Sequence, residues 1–171
     1  MIQTNRLREE EFTQQEEFSS ADADEVIKRI LVMDDNPDIT LTFKKVLQGP
    51  QIDDLTGERH LEANITKGEK KVSFEVITYN DPFLALSEFK PNFYHLMLVD
   101  INMPKMNGFE FSAKILERDA NPRICFMSSG QINQEALKEV YPTLSIGCFI
   151  KKPIMVRDLI RRIKTELECL N

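Results

Sequence analysis

From Arg29 onward, short apolar runs alternate with amphipathic stretches of ten to fifteen residues, a rhythm that predicts βαβ units and a parallel sheet. The strand candidates are Ile30 to Met33, Ser73 to Thr78, His95 to Val99, Ile124 to Met127 and Ile146 to Ile150. Helix candidates lie between and after them. The first starts at Pro37 with Asn36 as its cap and places Ile39, Phe43, Val46 and Leu47 on one face. Others start near Pro82, near Gly108 with Phe109, Ala113 and Leu116, and near Asn133 with Leu137 and Val140. The last runs from Val156 through Leu159, Ile160, Ile163, Leu167 and Leu170 at helical spacing. Five strands therefore alternate with five helices.

One stretch breaks the rhythm. Between the first helix and the second strand, residues 48–71 carry Gly49, Pro50, Gly57, Gly68 and alternating charges, far beyond the usual two to six residues of a connection. This is an insertion, a hairpin or a mobile loop. By topology it belongs at the sheet edge opposite the strand ends, so its acids Asp53, Asp54, Glu58, Glu62 and Glu69 are expected to serve no site there.

Charge separates the first residues from the rest. Residues 1–25 hold eight acidic and two basic side chains, whereas the other 146 residues hold 20 of each, so the whole net charge of −6 sits in the first segment. With Ile2, Leu7, Phe12 and Phe18 as its few large apolar residues, that segment is expected to be a mobile acidic tail. A neutral body behind an acidic tail argues against nonspecific nucleic-acid binding, which needs a concentrated basic surface. Arg157, Arg161, Arg162 and Lys164 on the last helix are diluted by Glu166 and Glu168, so they read as a solvated face.

The longest charge-free stretches, Ile124 to Gln134 and Val140 to Ile150, have eleven residues each, short of the ~18 that a membrane span needs. The charged residues Arg6, Arg8, Glu9, Glu10 and Glu11 fall where a signal peptide needs an apolar core, so a cytoplasmic protein is expected. Cys125, Cys148 and Cys169 form no CxxC pair and have no histidine at ligand spacing. Buried free thiols are expected, with neither a disulfide nor a zinc site.

In an open parallel sheet, ligands bind outside the carboxyl ends of the strands, where the winding reverses. The first strand candidate ends in Asp34-Asp35, the third in Asp100, the fourth in Ser128 and the fifth in Lys151-Lys152-Pro153. Any one of these has a structural reading: a helix cap, a turn opener or a solvated loop charge. Together they read differently. Three repelling carboxylates at one edge are most simply held by a hard divalent cation such as Mg2+, and a lysine and a hydroxyl beside them complete a site for a phosphoryl group. Strand alternation turns Lys151 and Lys152 to opposite faces.

These residues resemble a receiver domain of a two-component response regulator. The likeness covers Lys28 to Leu170 and rests on Ile30-Leu31-Val32-Met33-Asp34-Asp35-Asn36-Pro37, then Leu98-Val99-Asp100-Ile101-Asn102-Met103-Pro104 through Gly108, then Met127-Ser128, then Phe149-Ile150-Lys151-Lys152-Pro153, all in order at successive strand ends. It implies a receiver domain over residues 28–171 with a doubly wound, five-stranded, flavodoxin-like α/β sheet of order 2-1-3-4-5. It also implies that Asp100 is the phosphoacceptor, with Mg2+ held by Asp35, Asp100 and the backbone carbonyl of Asn102, and that Asp34 acts through a metal-bound water. Lys152 would contact the phosphoryl group, ahead of a cis bond to Pro153. Ser128 stands where threonine is frequent and keeps the hydroxyl. Phe149 stands at the switch position where tyrosine is common and lacks that hydroxyl.

The resemblance implies a signalling switch and not an enzyme, apart from slow self-dephosphorylation. A sensor histidine kinase or phosphotransfer protein would be the donor and a downstream protein the target, with the signal expected to leave through contacts with another chain. A receiver-like scaffold that is never phosphorylated is the alternative, and the intact acidic set weighs against it. A flavodoxin-like enzyme holding FMN would want backbone donors in the first turn, where Asp34-Asp35-Asn36-Pro37 supplies negative charge and a proline.

Overall fold

The computed structural model describes residues 26–49, 51–52, 59–60, 72–142, 144 and 148–168. The acidic tail, most of the insertion with its five acids, Cys169 and Leu170 lie outside these. Among the described residues seven strands and five helices follow one another: β1 (Val26–Met33), α1 (Pro37–Gln48), β2 (Gln51–Ile52), β3 (Arg59–His60), β4 (Val72–Tyr79), α2 (Pro82–Glu88), β5 (Leu96–Asp100), α3 (Gly108–Leu116), β6 (Arg123–Ser128), α4 (Gln134–Val140), β7 (Cys148–Lys151) and α5 (Val156–Glu168). Five strands form one sheet in the order β4-β1-β5-β6-β7, and every neighbouring pair in it is parallel. Counting those five alone, the order is 2-1-3-4-5, the expected flavodoxin-like winding.

Alternation along the strands sorts the core into two layers. Leu31, Met33, Met97, Val99 and Phe126 face one way and pack with Phe109, Phe111 and Ile115 of α3. Ile30, Val32, Leu96, Leu98, Cys125 and Met127 face the other way, against Phe43 and Leu47 of α1 and Leu159, Ile163 and Leu167 of α5. All five residues of β5 are buried, as befits a central strand covered on both faces.

The helices begin where polar caps stop the strands. Asn36 Oδ1 accepts from Asp38 N at 2.9 Å ahead of Pro37, and Asp81 accepts from Phe83 N and Leu84 N ahead of Pro82. Asn107 forms a capping box with Glu110, and Asn133 accepts from Glu135 N and Ala136 N. Each such cap contributes about 1 kcal/mol. Because the caps lie in the loops that follow strands, they also fix the backbone at the sheet's carboxyl edge.

Two features depart from the sequence reading or refine it. Within the insertion, β2 and β3 form a short antiparallel pair, Gln51 with His60 and Ile52 with Arg59. The insertion leaves α1 and enters β4 at Val72, which pairs with the first residue of β1, whereas Tyr79 pairs with Met33 beside Asp34. The second feature is a correction. Cys125 and Cys148 are not free thiols: they are joined in a disulfide, with Cα atoms 4.6 Å apart. They are register partners in the parallel β6–β7 pair and point into the same layer. A pairing set by register between strands 23 residues apart leaves no trace in cysteine spacing.

Candidate active site at the carboxyl edge of the sheet

Met33 of β1 pairs with Val99 of β5, so Asp34 and Asp100 stand level at the ends of the two central strands. Asp34 is 1% exposed and Asp100 4%. Their partner arrives from the far side of the sheet: Lys152 Nζ lies 2.6 Å from Asp100 Oδ1 and 2.9 Å from Asp34 Oδ2. The bond that follows, Lys152 to Pro153, is cis, and Lys152 N donates to Ser128 O at 2.8 Å, tying the end of β7 to that of β6. Lys151, the neighbour, is exposed.

The remaining carboxylate oxygens are held by backbone. Asn36 N donates to Asp34 Oδ1 at 3.0 Å and Asn102 N to Asp100 Oδ2 at 3.1 Å. Ser128 is buried, and its Oγ accepts from Gly130 N at 3.0 Å. Among the described residues that hydroxyl donates to no acceptor, so its proton is available to an incoming oxygen. Phe149 is half-buried with its ring 5.9 Å from that of Phe126, which in turn packs on Phe109.

Burial sets the electrostatics. Desolvation pushes the Asp100 carboxyl above its ordinary range, and the charge of Asp34 adds to this, against the hydrogen bond from Lys152. Burial alone would depress the Lys152 ammonium, but the hydrogen bonds and charges of Asp100 and Asp34 outweigh it and hold its pKa above the usual value. Asp35 is exposed and makes no hydrogen bond or ion pair among the described residues.

Three carboxylates against one ammonium leave a formal charge of −2 at this edge. A hard divalent cation with oxygen ligands matches both that charge and these donors. Asp34, Asp35 and Asp100 are not drawn into one tight cluster: among the described residues the group of three whose ligand atoms all lie within 4.8 Å of one another is Cys125, Cys148 and Glu166. The looser acidic arrangement suits a cation that keeps several of its waters, as Mg2+ does.

Three supporting residues escaped the sequence reading. Asn80 Nδ2 donates to Asp34 O at 2.7 Å and to Thr40 Oγ1 at 3.0 Å, so the buried Thr40 and the exposed Asn80 fix the backbone that carries Asp34. The signal for Thr40 was a hydroxyl on the helix stripe shared with Phe43 and Leu47. Lys105, at φ 73°, ion-pairs with Asp81 at 2.5 Å. Nothing in the sequence marks that side chain. The loop carrying it is anchored by the buried Met103 and Met106, and it ends at Gly108, whose N donates to Ile101 O at 3.0 Å. A Cβ on Gly108 would stand 2.2 Å from Asp100 O, so only glycine lets α3 start this close to β5.

Residues 30–164 match the model of the response regulator receiver domain. The chain belongs to that family. It is 25% identical over 135 residues to the positive alginate biosynthesis regulatory protein of Pseudomonas aeruginosa, covering 79% of this chain and 45% of that protein. Among solved structures it resembles the non-phosphorylated HemR receiver domain from Leptospira biflexa, with TM-score 0.60, 21% identity, and coverage of 82% of this chain and 94% of that one. It also resembles the CheX-CheY-BeF3-Mg2+ complex from Borrelia burgdorferi, with TM-score 0.57, 22% identity, and coverage of 81% and 87%. The chain spans less than half the length of the curated relatives it matches. No helix among the described residues is long and apolar enough to cross a membrane.

Proposed function

We propose that this receiver takes a phosphoryl group onto Asp100 from the phosphohistidine of a sensor histidine kinase or phosphotransfer protein, and that the modified state changes its contacts with a downstream protein in the cytoplasm. The observation that carries this reading is the shared ammonium: Lys152 Nζ sits within hydrogen-bond reach of both Asp100 and Asp34 at the winding reversal. In the transfer, a carboxylate oxygen of Asp100 attacks phosphorus, the P–N bond breaks, and the imidazole leaves with the electron pair. Lys152 then neutralises a phosphoryl oxygen, and the Ser128 hydroxyl donates its proton to another. Asp35, Asp100 and the Asn102 carbonyl would hold Mg2+ directly, and Asp34 would hold it through water. When bound, the cation offsets charge on the phosphoryl oxygens.

Drawing Ser128 toward the new phosphoryl group shifts the end of β6, against which Phe149 is lodged. Phe149 then moves inward, and the surface of α4, β7 and α5 changes with it. Arg157 and Arg161 lie near Asp158, and Arg162 pairs with Glu166, so α5 offers a charge-balanced face suited to a protein target more than to nucleic acid. The chain is on this reading a phosphoacceptor and not an enzyme acting on a second substrate. The insertion, entering and leaving at the opposite edge, takes no part in the chemistry.

Incubation with acetyl phosphate and Mg2+ followed by a phosphate-affinity gel tests the assignment. The wild type is expected to shift, Asp100→Asn to show no shift, and chelation of Mg2+ to suppress the shift in the wild type. Asp34→Asn and Asp35→Asn are expected to weaken the dependence on Mg2+. Modification that persists in Asp100→Asn and maps to another residue overturns the reading.

A further inference from the structure

On the sheet face away from α3, the Cys125–Cys148 pair is buried beneath α5, with the two residues 0% and 2% exposed. Its surroundings are not those of an inert staple. Arg162 Nε donates to Cys148 Sγ at 3.3 Å. The same guanidinium pairs with Glu166 Oε1 at 3.2 Å, and Arg123 holds Glu166 Oε2 at 3.0 Å. The side chains of Arg162 and Arg123 are 40% and 37% exposed, so the guanidinium that touches Cys148 belongs to a side chain that reaches solvent.

We propose that Cys125 and Cys148 are a reversible thiol oxidation site, with Cys148 as the peroxide-reactive thiolate and Cys125 as the resolving thiol. A guanidinium beside a cysteine favours its thiolate, and Arg162 donates to Cys148 Sγ, whereas no donor reaches Cys125 Sγ among the described residues. The Cys148 thiolate attacks one oxygen of hydrogen peroxide, the O–O bond breaks, and the departing hydroxide takes up a proton, leaving a sulfenic acid. Cys125 sulfur then attacks the Cys148 sulfur and expels hydroxide, which leaves as water with the Cys125 thiol proton. In sum, two thiols and one peroxide give one disulfide and two waters. A dithiol or phosphine reductant returns the pair to thiols.

The same three side chains, Cys125, Cys148 and Glu166, have ligand atoms close enough together for a soft cation. Both oxygens of Glu166 are already taken by guanidiniums, so oxidation is the better fit. The link joins the strands whose ends carry Ser128 and Lys152, yet the proposal does not depend on phosphoryl transfer. Asp100→Asn is expected to oxidise as the wild type does, which separates the two failures.

The test uses the full chain, reduced with a phosphine under native conditions and then exposed to hydrogen peroxide, quenched in acid, alkylated, and analysed by intact mass and peptide map. The reductant is expected to release both thiols from folded protein. Peroxide is expected to restore the Cys125–Cys148 link, with loss of two hydrogens, before Cys169 is oxidised. In Arg162→Gln the link should form ~tenfold more slowly at neutral pH, with its rate profile displaced to higher pH, and Arg162→Lys should recover most of the rate. Four results overturn the proposal: a link that resists phosphine until the chain is unfolded, thiols that stay reduced while Cys169 oxidises, an unchanged pH profile in folded Arg162→Gln, or stoichiometric zinc uptake by the reduced protein that blocks oxidation.

Discussion

At the carboxyl edge of the sheet two buried carboxylates, Asp34 and Asp100, share the single ammonium of Lys152, and Asp35 stands exposed without a partner among the described residues. Toward the amino ends of β5 and β6 the charges are matched instead. Arg29 Nε meets Glu75 at 2.8 Å with its guanidinium 4.4 Å from the Phe93 ring centre. Arg29 N donates to His95 Nδ1 at 3.0 Å, and His95 passes the pattern on through its own backbone to Arg29 and Arg123. Both regions are polar clusters at strand ends, and burial and balance tell them apart. The second is closed and half-exposed, as a group that merely completes a fold can be. In the first, Asp34 and Asp100 are buried and negative charge exceeds positive, an imbalance that costs stability unless a ligand uses it.

Removing one cation from each cluster is the sharpest way to break the comparison. Lys152→Met leaves Asp34 and Asp100 buried with no counter-charge and is expected to cost about 3–5 kcal/mol in Mg2+-free buffer. The loss should shrink when Mg2+ is added. It should also shrink as the pH falls: Asp100 has a folded-state pKa above its unfolded value, so it binds more protons folded than unfolded, costs stability at neutral pH and returns it as pH drops through the folded pKa. Urea unfolding at several pH values, with and without Mg2+, measures both effects. A Lys152→Met variant as stable as the wild type at pH 7 without Mg2+ would show that the edge is not charge-strained.

Gly108→Ala probes the same edge by volume and not by charge. The new Cβ meets backbone at Asp100, which cannot swing aside as a flexible side chain can. A loss of about 1–3 kcal/mol is expected, seen as a lower urea midpoint, together with weaker acetyl phosphate labelling because Asp100 is displaced. Unchanged stability with full labelling would mean that α3 moves freely relative to β5.

The strand runs and helix starts were legible because each obeys a local rule: a short stretch rich in apolar residues, or Asn36, Pro82, Gly108 and Asn133 opening a helical stripe. Boundaries that depend on pairing were not. β1 starts at Val26, four residues before the apolar run, because Val26 to Arg29 pair with β4 alone and carry Lys28 and Arg29. The disulfide was misread for the same reason, since register and not spacing brings Cys125 to Cys148. At the site, Asp34, Asp100, Ser128 and Lys152 could be placed from strand ends, whereas Thr40 and Asn80 act through the Asp34 backbone, a contact set by the fold and not by spacing along the chain.

Arg29→Met is expected to cost about 1 kcal/mol or less, since Arg29 and Glu75 are 35% and 46% exposed and water screens the pair. High salt should reduce even that. A cost equal to that of Lys152→Met would erase the distinction between the two clusters.

The smallest effect, and the one most specific to the amino end, belongs to His95. Burial lowers its pKa below 6.5, the charges of Lys28 and Arg29 add to this, and Nδ1 accepts from Arg29 N, a bond that only the neutral ring makes. The folded protein therefore binds fewer protons at this ring than the unfolded chain does near pH 6. Its contribution to stability is fully present above the unfolded pKa of about 6.5 and is lost as the pH falls through that value toward the lower folded one. His95→Asn places an amide oxygen where Nδ1 accepted and cannot titrate. Differential unfolding of wild type and His95→Asn between about pH 7.5 and 5 should show the wild type losing stability relative to the variant, because protonation forces the ring to give up its acceptor and adds a third positive charge beside Lys28 and Arg29. Parallel pH profiles for the two proteins would mean that the ring exchanges its proton without disturbing the amino-end cluster, and that this cluster is closed by Arg29 and Glu75 alone.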